Sequence, residues 1–215
     1  MDNTAIVVGA TGLVGSALVD QLSRAAHIDR VVTLTRRGVA HELPKVVNRV
    51  VDFEHLERDA AAFQGRYLFC CLGTTLRKAG SIEAQRVVDL EYPYQAALLA
   101  SRAGVRHFLL VSSSFADAQS KRPYLQMKGE LEQRVLALPF ERVSIFQPSV
   151  LLGPRPEGRP AEALAAAVLN LASRLPRLRR YRPIRGDEVA EKMVQVSARV
   201  GPRIERFALD EVFPG

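Results

Sequence analysis

The sequence is poor in the residues that build disulfide frameworks, metal sites and membrane spans. Its 215 residues include two cysteines, which are adjacent, so neither a disulfide framework nor a spaced pair of metal ligands is indicated. The four histidines are scattered without ligand spacing: His27, His41, His55 and His107. We therefore predict no metal site.

No run of about 18 apolar residues is free of charge, so no transmembrane helix is predicted. The amino terminus, MDNTAIVVGATG, has no basic region and no small-residue cleavage site, and it is typical of a strand rather than a signal peptide. The scarcity of cysteine fits a reducing compartment. Together these absences predict a cytoplasmic protein.

The net charge is +7, and part of it lies in one run without an acidic residue. The run contains Arg174, Arg177, Arg179, Arg180, Arg182 and Arg185. Such a run suits an acidic substrate, a nucleic acid or a membrane surface, but it is also typical of a solvated basic face. Only Tyr181 is interleaved with these arginines, so no nucleic-acid partner is predicted.

Short apolar segments alternate with segments of helical periodicity, which predicts an α/β fold with a doubly wound parallel sheet of the Rossmann type. Predicted strands are Thr4–Val8, Arg30–Thr35, Lys45–Val51, Arg66–Leu72, Val105–Val111, Glu141–Phe146 and Ile204–Leu209. Predicted helices are Leu13–Ala25, His55–Phe63, Ser81–Ala103, Tyr124–Leu138, Ala161–Leu175 and Asp187–Val200, with Gly153–Pro160 as a loop. Pro93 should kink or restart the long third helix. We expect a single domain over 1–215, with 1–152 as its core and 153–215 as a small helical region.

A glycine-rich loop, Gly9-Ala10-Thr11-Gly12-Leu13-Val14-Gly15, joins the first strand to the first helix. In that context Gly9 permits a tight turn, Gly12 lets the backbone approach a pyrophosphate, and Gly15 lets the helix pack closely on the strand. The amide groups and positive dipole end of the helix would then face the phosphates. The alternative is a glycine-rich turn without a ligand.

The second strand ends in Leu34-Thr35-Arg36-Arg37, where proteins that bind NAD usually carry an acidic residue for the ribose 2′-hydroxyl. Arginine instead suits the 2′-phosphate of NADP(H), with Arg36 as the primary contact. A solvated surface pair of arginines is the alternative. Asp52, after the third strand, is placed to meet the adenine amino group, or else to cap a helix.

Tyr124 and Lys128 lie four residues apart on a predicted helix and so share one face. A free tyrosine has a pKa near 10, and a cation about 4 Å away favours the phenolate by roughly 4 kcal/mol at an effective dielectric constant of about 20. This pair suits general acid–base catalysis, and Lys128 could also hold a nicotinamide ribose. Ser113, or a neighbour in Ser112-Ser113-Ser114, would polarise a substrate carbonyl. An unrelated surface tyrosine is the alternative.

The glycine loop, the serine-ended strand and Tyr124…Lys128 resemble the atypical short-chain dehydrogenase/reductases. A closer similarity is to the HIV-Tat-interactive protein 2 family of oxidoreductase-like proteins. It rests on VDFE (51–54), FCCLGTT (69–75), KAG (78–80), HF through SS (107–113) and YLQMKGE (124–130). Two departures are Gln147, where relatives usually have arginine, and the run of three serines.

The resemblance implies a protein that binds NADP(H). Cys71, Leu72 and Gly73 would line the cofactor, and the loop Gln147-Pro148-Ser149-Val150-Leu151-Leu152, with Pro148 and Val150 at the cofactor, would pass the nicotinamide. Cys70 and Cys71 are otherwise small strand residues, with a redox role as the alternative.

Two classes of function follow from these residues. One is an NADP(H)-dependent oxidoreductase that acts on a small carbonyl or alcohol. The other is a protein that binds NADP(H), without turnover, and reports its redox state to a protein partner. A third interpretation is an epimerase or isomerase that retains its cofactor. Substrate and oligomeric state are not predicted.

Overall fold

The computed structural model describes residues 3–153 and 179–215, and its centre is a seven-stranded parallel sheet. The strands are β1 (Thr4–Val8), β2 (Arg30–Thr35), β3 (Val46–Val50), β4 (Tyr67–Cys70), β5 (His107–Val111), β6 (Arg142–Gln147) and, later in the chain, β9 (Ile204–Ala208). Their order across the sheet is β3-β2-β1-β4-β5-β6-β9. The Rossmann-type fold class predicted from the sequence is confirmed.

Helices cover both faces of the sheet. The described α-helices are α1 (Leu13–Arg24), α2 (Leu76–Ala79), α3 (Ile82–Arg86), α4 (Tyr92–Arg102), α5 (Pro123–Leu136) and α6 (Gly186–Ala198). Short 3-10 helices span Leu56–Phe63, Arg179–Tyr181 and Leu209–Val212. No helix within the described residues is long and apolar enough to cross a membrane.

Alternate residues of the strands feed two cores. Ile6, Leu68 and Phe108 face the side that carries α4 and α5, where Leu131 also packs. Ala5, Phe69 and Leu109 face the side that carries α1 and α6 and pack with buried residues of those helices: Val14, Leu18, Leu22, Val189 and Met193. This alternation follows from the two-residue period of a strand, and it holds the carboxyl ends of β1, β4, β5 and β6 at one edge.

The predicted helix over Ser81–Ala103 is divided into three parts. Between α3 and α4 lies a π-helical turn, Val87–Glu91, in which the Tyr92 amide donates to the Val87 carbonyl. Pro93 explains the interruption, because its ring clashes with the carbonyl of the residue four positions earlier and it has no amide hydrogen. The predicted break at Pro93 therefore takes the form of a widened turn.

Two small elements were not expected from the sequence. The four-residue helix α2 is capped by Thr75, whose hydroxyl accepts from the Lys78 amide. Strands β7 (Leu151–Leu152) and β8 (Ile184–Arg185) form a separate two-stranded parallel pair. The predicted helix over Ala161–Leu175 and nearly all of the predicted loop over Gly153–Pro160 lie outside the described residues.

Candidate active site

A cavity of about 1380 Å³ lies at the carboxyl edge of the sheet, where the strand order reverses between β1 and β4. Ligands of doubly wound sheets bind at this kind of crevice. Among the residues that line it are twelve predicted from the sequence: Thr11, Gly12, Leu13, Val14, Cys71, Leu72, Gly73, Ser113, Tyr124, Lys128, Pro148 and Val150. The fold therefore brings most of the predicted site residues to one place.

Gly9 and Gly15 do not line the cavity; they form the base of the loop beneath it. Gly9 has φ +79°, and a Cβ atom there would lie 2.5 Å from the carbonyl carbon and oxygen of Cys71. A Cβ atom on Gly15 would collide with the Gly9 carbonyl. These two positions thus require glycine for the close contact of β1, β4 and the start of α1.

The first turn of α1 faces the cavity without a capping side chain or an acidic residue. Gly12 is the N-cap, and its amide closes the turn by donating to the Gly9 carbonyl at 3.0 Å. The amino-terminal amides of a helix carry partial positive charge and suit phosphate oxygens. The loop, the helix end and the cavity volume fit the pyrophosphate and length of a dinucleotide.

Tyr124 and Lys128 extend from α5 to different depths of the cavity. Tyr124 is 37% exposed and Lys128 is 2% exposed, and the Lys128 ammonium lies 5.8 Å from the centre of the Tyr124 ring. Ser113 also lines the cavity, and its hydroxyl makes a long 3.3 Å contact with the Ser114 carbonyl. A hydroxyl, a phenol and an ammonium thus line the same cavity, together with the loop that follows β4.

From the sequence, Lys128 was treated as an isolated cation near Tyr124. In the structure it has a carboxylate partner. Its nitrogen lies 2.9 Å from the Asp89 carboxylate, and both side chains are almost fully buried. Burial alone would lower the pKa of Lys128, but the Asp89 carboxylate outweighs it and holds this pKa above its ordinary value. Lys128 therefore stays charged, and Asp89 offsets part of its field at Tyr124.

Arg36, Arg37 and Asp52 lie outside the cavity lining. Both arginines are exposed after β2, and the Arg37 carbonyl accepts from the Thr35 hydroxyl at 2.7 Å. The side chain of Asp52 pairs with His55 and also accepts from the Glu54 amide, and both contacts lower the pKa of Asp52. Asp52 is therefore a turn residue and not a helix cap, because the 3-10 helix that follows has His55 as its N-cap.

The charges of Arg36 and Asp52 both act on the phenol of Tyr92. Burial, followed by the Glu54 carboxylate, raises the pKa of Tyr92; the Arg36 guanidinium opposes this and Asp52 adds to it. Arg36 and Asp52 thus act on one phenol at the β2–β3 end of the crevice. This is the end where a dinucleotide on the glycine loop would carry its adenosine.

The two thiols differ in position but not in protonation. Cys70 is fully buried in the core, where burial raises its pKa to about 11. Cys71 is half-buried at the cavity, and burial followed by Cys70 raises its pKa well above the ordinary value. Protonated thiols are poor nucleophiles. The interpretation as a small strand residue fits Cys70, whereas Cys71 lies just after the end of β4.

The carboxy-terminal part of the chain also reaches the cavity. Arg185, Gly186 and Asp187 line it at the start of α6, and a Cβ atom on Gly186 would lie 2.7 Å from Cγ of Leu13. Within the described part of the arginine run, Arg182 stacks on Phe213, and Arg185 pairs with Asp187 at 2.8 Å. Arg174 and Arg177 lie outside the described residues.

Several cavity residues were not assigned to the site from the sequence, among them Thr74, Thr75, Lys78 and Gln85. Thr74 and Thr75 directly follow the predicted Cys71–Gly73 segment and were within reach of the same argument. Asp89, which touches Lys128, is a carboxylate inside an apolar helical segment. This carboxylate within an apolar segment was the one feature of the sequence that could have drawn attention to Asp89.

Comparison with known proteins agrees with this architecture. Residues 5–184 match the family model described as the NAD dependent epimerase/dehydratase family. The protein HTATIP2 of Rattus norvegicus is 44% identical over 170 residues, which are 77% of this chain and 70% of the relative. The protein FMP52-1, mitochondrial, of Scheffersomyces stipitis is 35% identical over 205 residues, which are 90% of this chain and 88% of the relative.

The fungal relatives correct one prediction. Four of them, from Scheffersomyces stipitis, Eremothecium gossypii, Emericella nidulans and Coccidioides immitis, are named as mitochondrial proteins. The cytoplasmic location predicted from the sequence is therefore wrong. Its physical basis was weak, because the mitochondrial matrix also keeps thiols reduced, so a scarcity of disulfides does not separate the two compartments.

Solved structures show the same fold. The structure of gox2253 superposes with a TM-score of 0.72 at 23% identity, over 97% of this chain and 70% of that one. The structure of MoeE5 in complex with UDP-glucuronic acid and NAD superposes with a TM-score of 0.71 at 16% identity, over 96% and 76%. With its sheet, its glycine loop and the match over residues 5–184, this chain belongs to the NAD dependent epimerase/dehydratase family.

Proposed function

We propose that this protein is an NADP(H)-dependent oxidoreductase that acts on a small carbonyl or alcohol. The observation that carries the proposal is that Ser113, Tyr124 and Lys128 line the same cavity as the glycine loop. Residues 1–152 would hold the cofactor and 153–215 would close the substrate side. The relatives' family supports a nicotinamide cofactor, and Arg36 supports the phosphorylated form.

A bound nicotinamide dinucleotide supplies or accepts the hydride. Tyr124 would donate a proton to the carbonyl oxygen during reduction and recover it during oxidation, a role that suits its position at the open side of the cavity. The Ser113 hydroxyl would donate a hydrogen bond to the same oxygen and orient it. Lys128, deeper in the cavity, would donate to the nicotinamide ribose and keep a positive charge beneath the phenol.

Specificity for the phosphorylated cofactor would come from the arginines after β2. Both Arg36 and Arg37 are exposed, so their guanidinium groups are open to a ligand. A guanidinium can bind a 2′-phosphate through two parallel hydrogen bonds. Arg36, which acts on Tyr92 at the adenosine end, would make this contact, with Arg37 beside it and Asp52 toward the adenine amino group.

The test is cofactor binding followed by turnover with the purified full chain. We expect saturable binding of NADPH, with weaker binding of NADH, in a fluorescence titration. A panel of aldehydes and ketones should then consume NADPH, and Tyr124→Phe should lower kcat by about 100-fold or more. Tyr94→Phe is the matched control, because Tyr94 lies outside the cavity, on α4, beside Arg134.

Other outcomes assign other functions. Tight NADPH binding without consumption across the panel would favour a redox-sensing protein that acts through a protein partner. A cofactor that survives purification and is never consumed, while a substrate changes configuration, would favour an epimerase. No saturation with either dinucleotide, on folded protein, would contradict the proposal.

A further inference from the structure

Asp89 and Lys128 form an ion pair in which both side chains are buried. The two charged atoms are 2.9 Å apart, and their side chains are 1% and 3% exposed. A buried ion pair is weak evidence for stability, because well-packed apolar residues of similar volume often serve as well or better. The pair therefore calls for an explanation other than the stability of the fold.

The π-helical turn gives Asp89 its position. Asp89 is the middle residue of Val87–Glu91, and it lies four residues before Pro93. Because Pro93 has no amide hydrogen, it cannot bond to the Asp89 carbonyl as a regular helix would require. Widened turns of this kind occur often at functional sites, and here the turn carries the residue that pairs with Lys128.

The Asp89 carboxylate contacts two separate parts of the cavity wall. One oxygen pairs with Lys128 on α5, and the other accepts from the Thr74 amide at 3.2 Å, in the loop after β4. Gly73 makes room for it, since a Cβ atom there would lie 3.3 Å from the Asp89 carboxylate and 3.8 Å from the Lys128 nitrogen. One buried carboxylate thus ties the loop after β4 to the lysine of α5.

We propose that Asp89 is a positioning residue, which fixes the Lys128 ammonium and the Gly73–Thr74 loop relative to each other around the nicotinamide ribose. The inference rests on the proposed function and names a residue that acts through Lys128, without touching the cavity itself. Asp89 and Lys128 together carry no net charge, and the Lys128 ammonium lies 5.8 Å from the centre of the Tyr124 ring. The other titratable groups that act on Lys128 are Tyr124 and Cys70.

The first test is Asp89→Asn, which keeps the size and an oxygen for the Thr74 amide but removes the charge. The titration of Lys128 is followed by NMR of protein with [13Cε]-lysine, and Lys128→Met assigns the signal. We expect the pKa of Lys128 to fall, because burial then acts without the Asp89 carboxylate. In the same variant kcat should fall about ten-fold or more, and its pH profile should follow the new Lys128 titration.

Glu205→Gln is the matched control. It removes a mostly buried carboxylate that pairs with Arg142 on the β6–β9 side, outside the cavity lining. We expect it to lower stability while the Lys128 titration, the KM for the carbonyl substrate and kcat stay as in the wild type. A loss of kcat of equal size in both variants would overturn the positioning role.

Asp89→Glu covers the case in which Asp89→Asn does not fold. It retains the charge but moves it by one methylene, so we expect Lys128 to stay protonated while kcat and NADPH affinity fall. Wild-type kcat and affinity in this variant would overturn the proposal. Failure of the positioning proposal can be distinguished from failure of the proposed function. If the proposed function is wrong, the wild type shows no NADPH binding or turnover, whereas the Lys128 titration can be measured without either.

Discussion

The Ser112 hydroxyl donates a 2.5 Å hydrogen bond to the Glu132 carboxylate, and both side chains are buried. The Gln147 amide donates to both oxygens of the same carboxylate, at 2.9 and 3.1 Å. Ser112 is therefore engaged in holding a buried charge between β5, α5 and β6. The next residue, Ser113, has a more exposed hydroxyl with a weaker contact.

Ser113→Ala tests the catalytic assignment among the three serines. We expect kcat/KM to fall by about ten- to 100-fold, since a hydrogen bond to the developing charge on the carbonyl oxygen is lost. The unfolding midpoint should change little. Steady-state kinetics with the best substrate of the carbonyl panel, beside denaturant unfolding, give the two measurements.

Ser112→Ala should lower the stability of the protein and have little effect on kcat/KM. Removing the donor leaves the Glu132 carboxylate with less compensation, which should lower the free energy of unfolding by about 1–3 kcal/mol. If Ser112→Ala abolished turnover in a stably folded protein while Ser113→Ala did not, the assignment would pass to Ser112.

Arg36→Ala tests cofactor specificity. We expect the Kd for NADPH to rise by about ten- to 100-fold, the equivalent of one charge-assisted hydrogen bond, while the Kd for NADH is unchanged. Arg30→Ala is the control, because Arg30 is an exposed arginine at the opposite end of the same strand. An equal rise for both dinucleotides would show that Arg36 does not contact the 2′-phosphate.

Alanine substitutions at three glycines distinguish backbone strain from steric crowding at Gly9 of the glycine loop, with Gly38 and Gly104 elsewhere in the chain as references. Gly38→Ala should be neutral, since no atom lies within 4 Å of its Cβ position, and Gly104→Ala should cost about 1–2 kcal/mol through its φ of +83° alone. Gly9→Ala adds the 2.5 Å contact with Cys71 to a φ of +79°, so its cost should exceed that of Gly104→Ala. Denaturant unfolding measures all three, and equal costs at positions 9 and 104 would contradict the crowding at Gly9.

Local patterns were enough to predict the sheet and the glycine loop. Apolar runs such as Thr4–Val8 form strands wherever both faces are covered, and Gly9 and Gly15 have no tolerated substitute at their contacts. The pairing of Asp89 with Lys128 could not be predicted, because the two residues are 39 positions apart along the chain and the placement of Asp89 depends on the widened turn. Local periodicity carries no information on such long-range pairs, and the same applies to the small β7–β8 pair.

His107 predicts how stability depends on pH. Its ring nitrogen lies 2.8 Å from the Ser144 hydroxyl, and burial, followed by Arg142, lowers its pKa from 6.5 to about 3. As the pH falls, His107 of the unfolded chain binds a proton before His107 of the folded protein does. The contribution of His107 to the free energy of unfolding is therefore complete above pH 6.5 and is lost as the pH falls toward 3. The slope from this group should approach about 1.4 kcal/mol per pH unit.

Chemical denaturation of the wild type and His107→Asn between pH 4 and about 7 checks this expectation. Asparagine can still bond to Ser144 but does not titrate, so its stability should vary less steeply with pH. Identical slopes in the two proteins would assign the acid sensitivity to other groups.

The packing of α1 against α6 has a consequence for biosynthesis. Helix α1 precedes β2 and α6 follows β6 along the chain, yet Leu18 and Leu22 of α1 share one core with Val189 and Met193 of α6. A nascent chain that has emerged only as far as β6 therefore exposes to solvent the part of α1 that α6 covers. This face of the sheet is completed only after α6 has been synthesised.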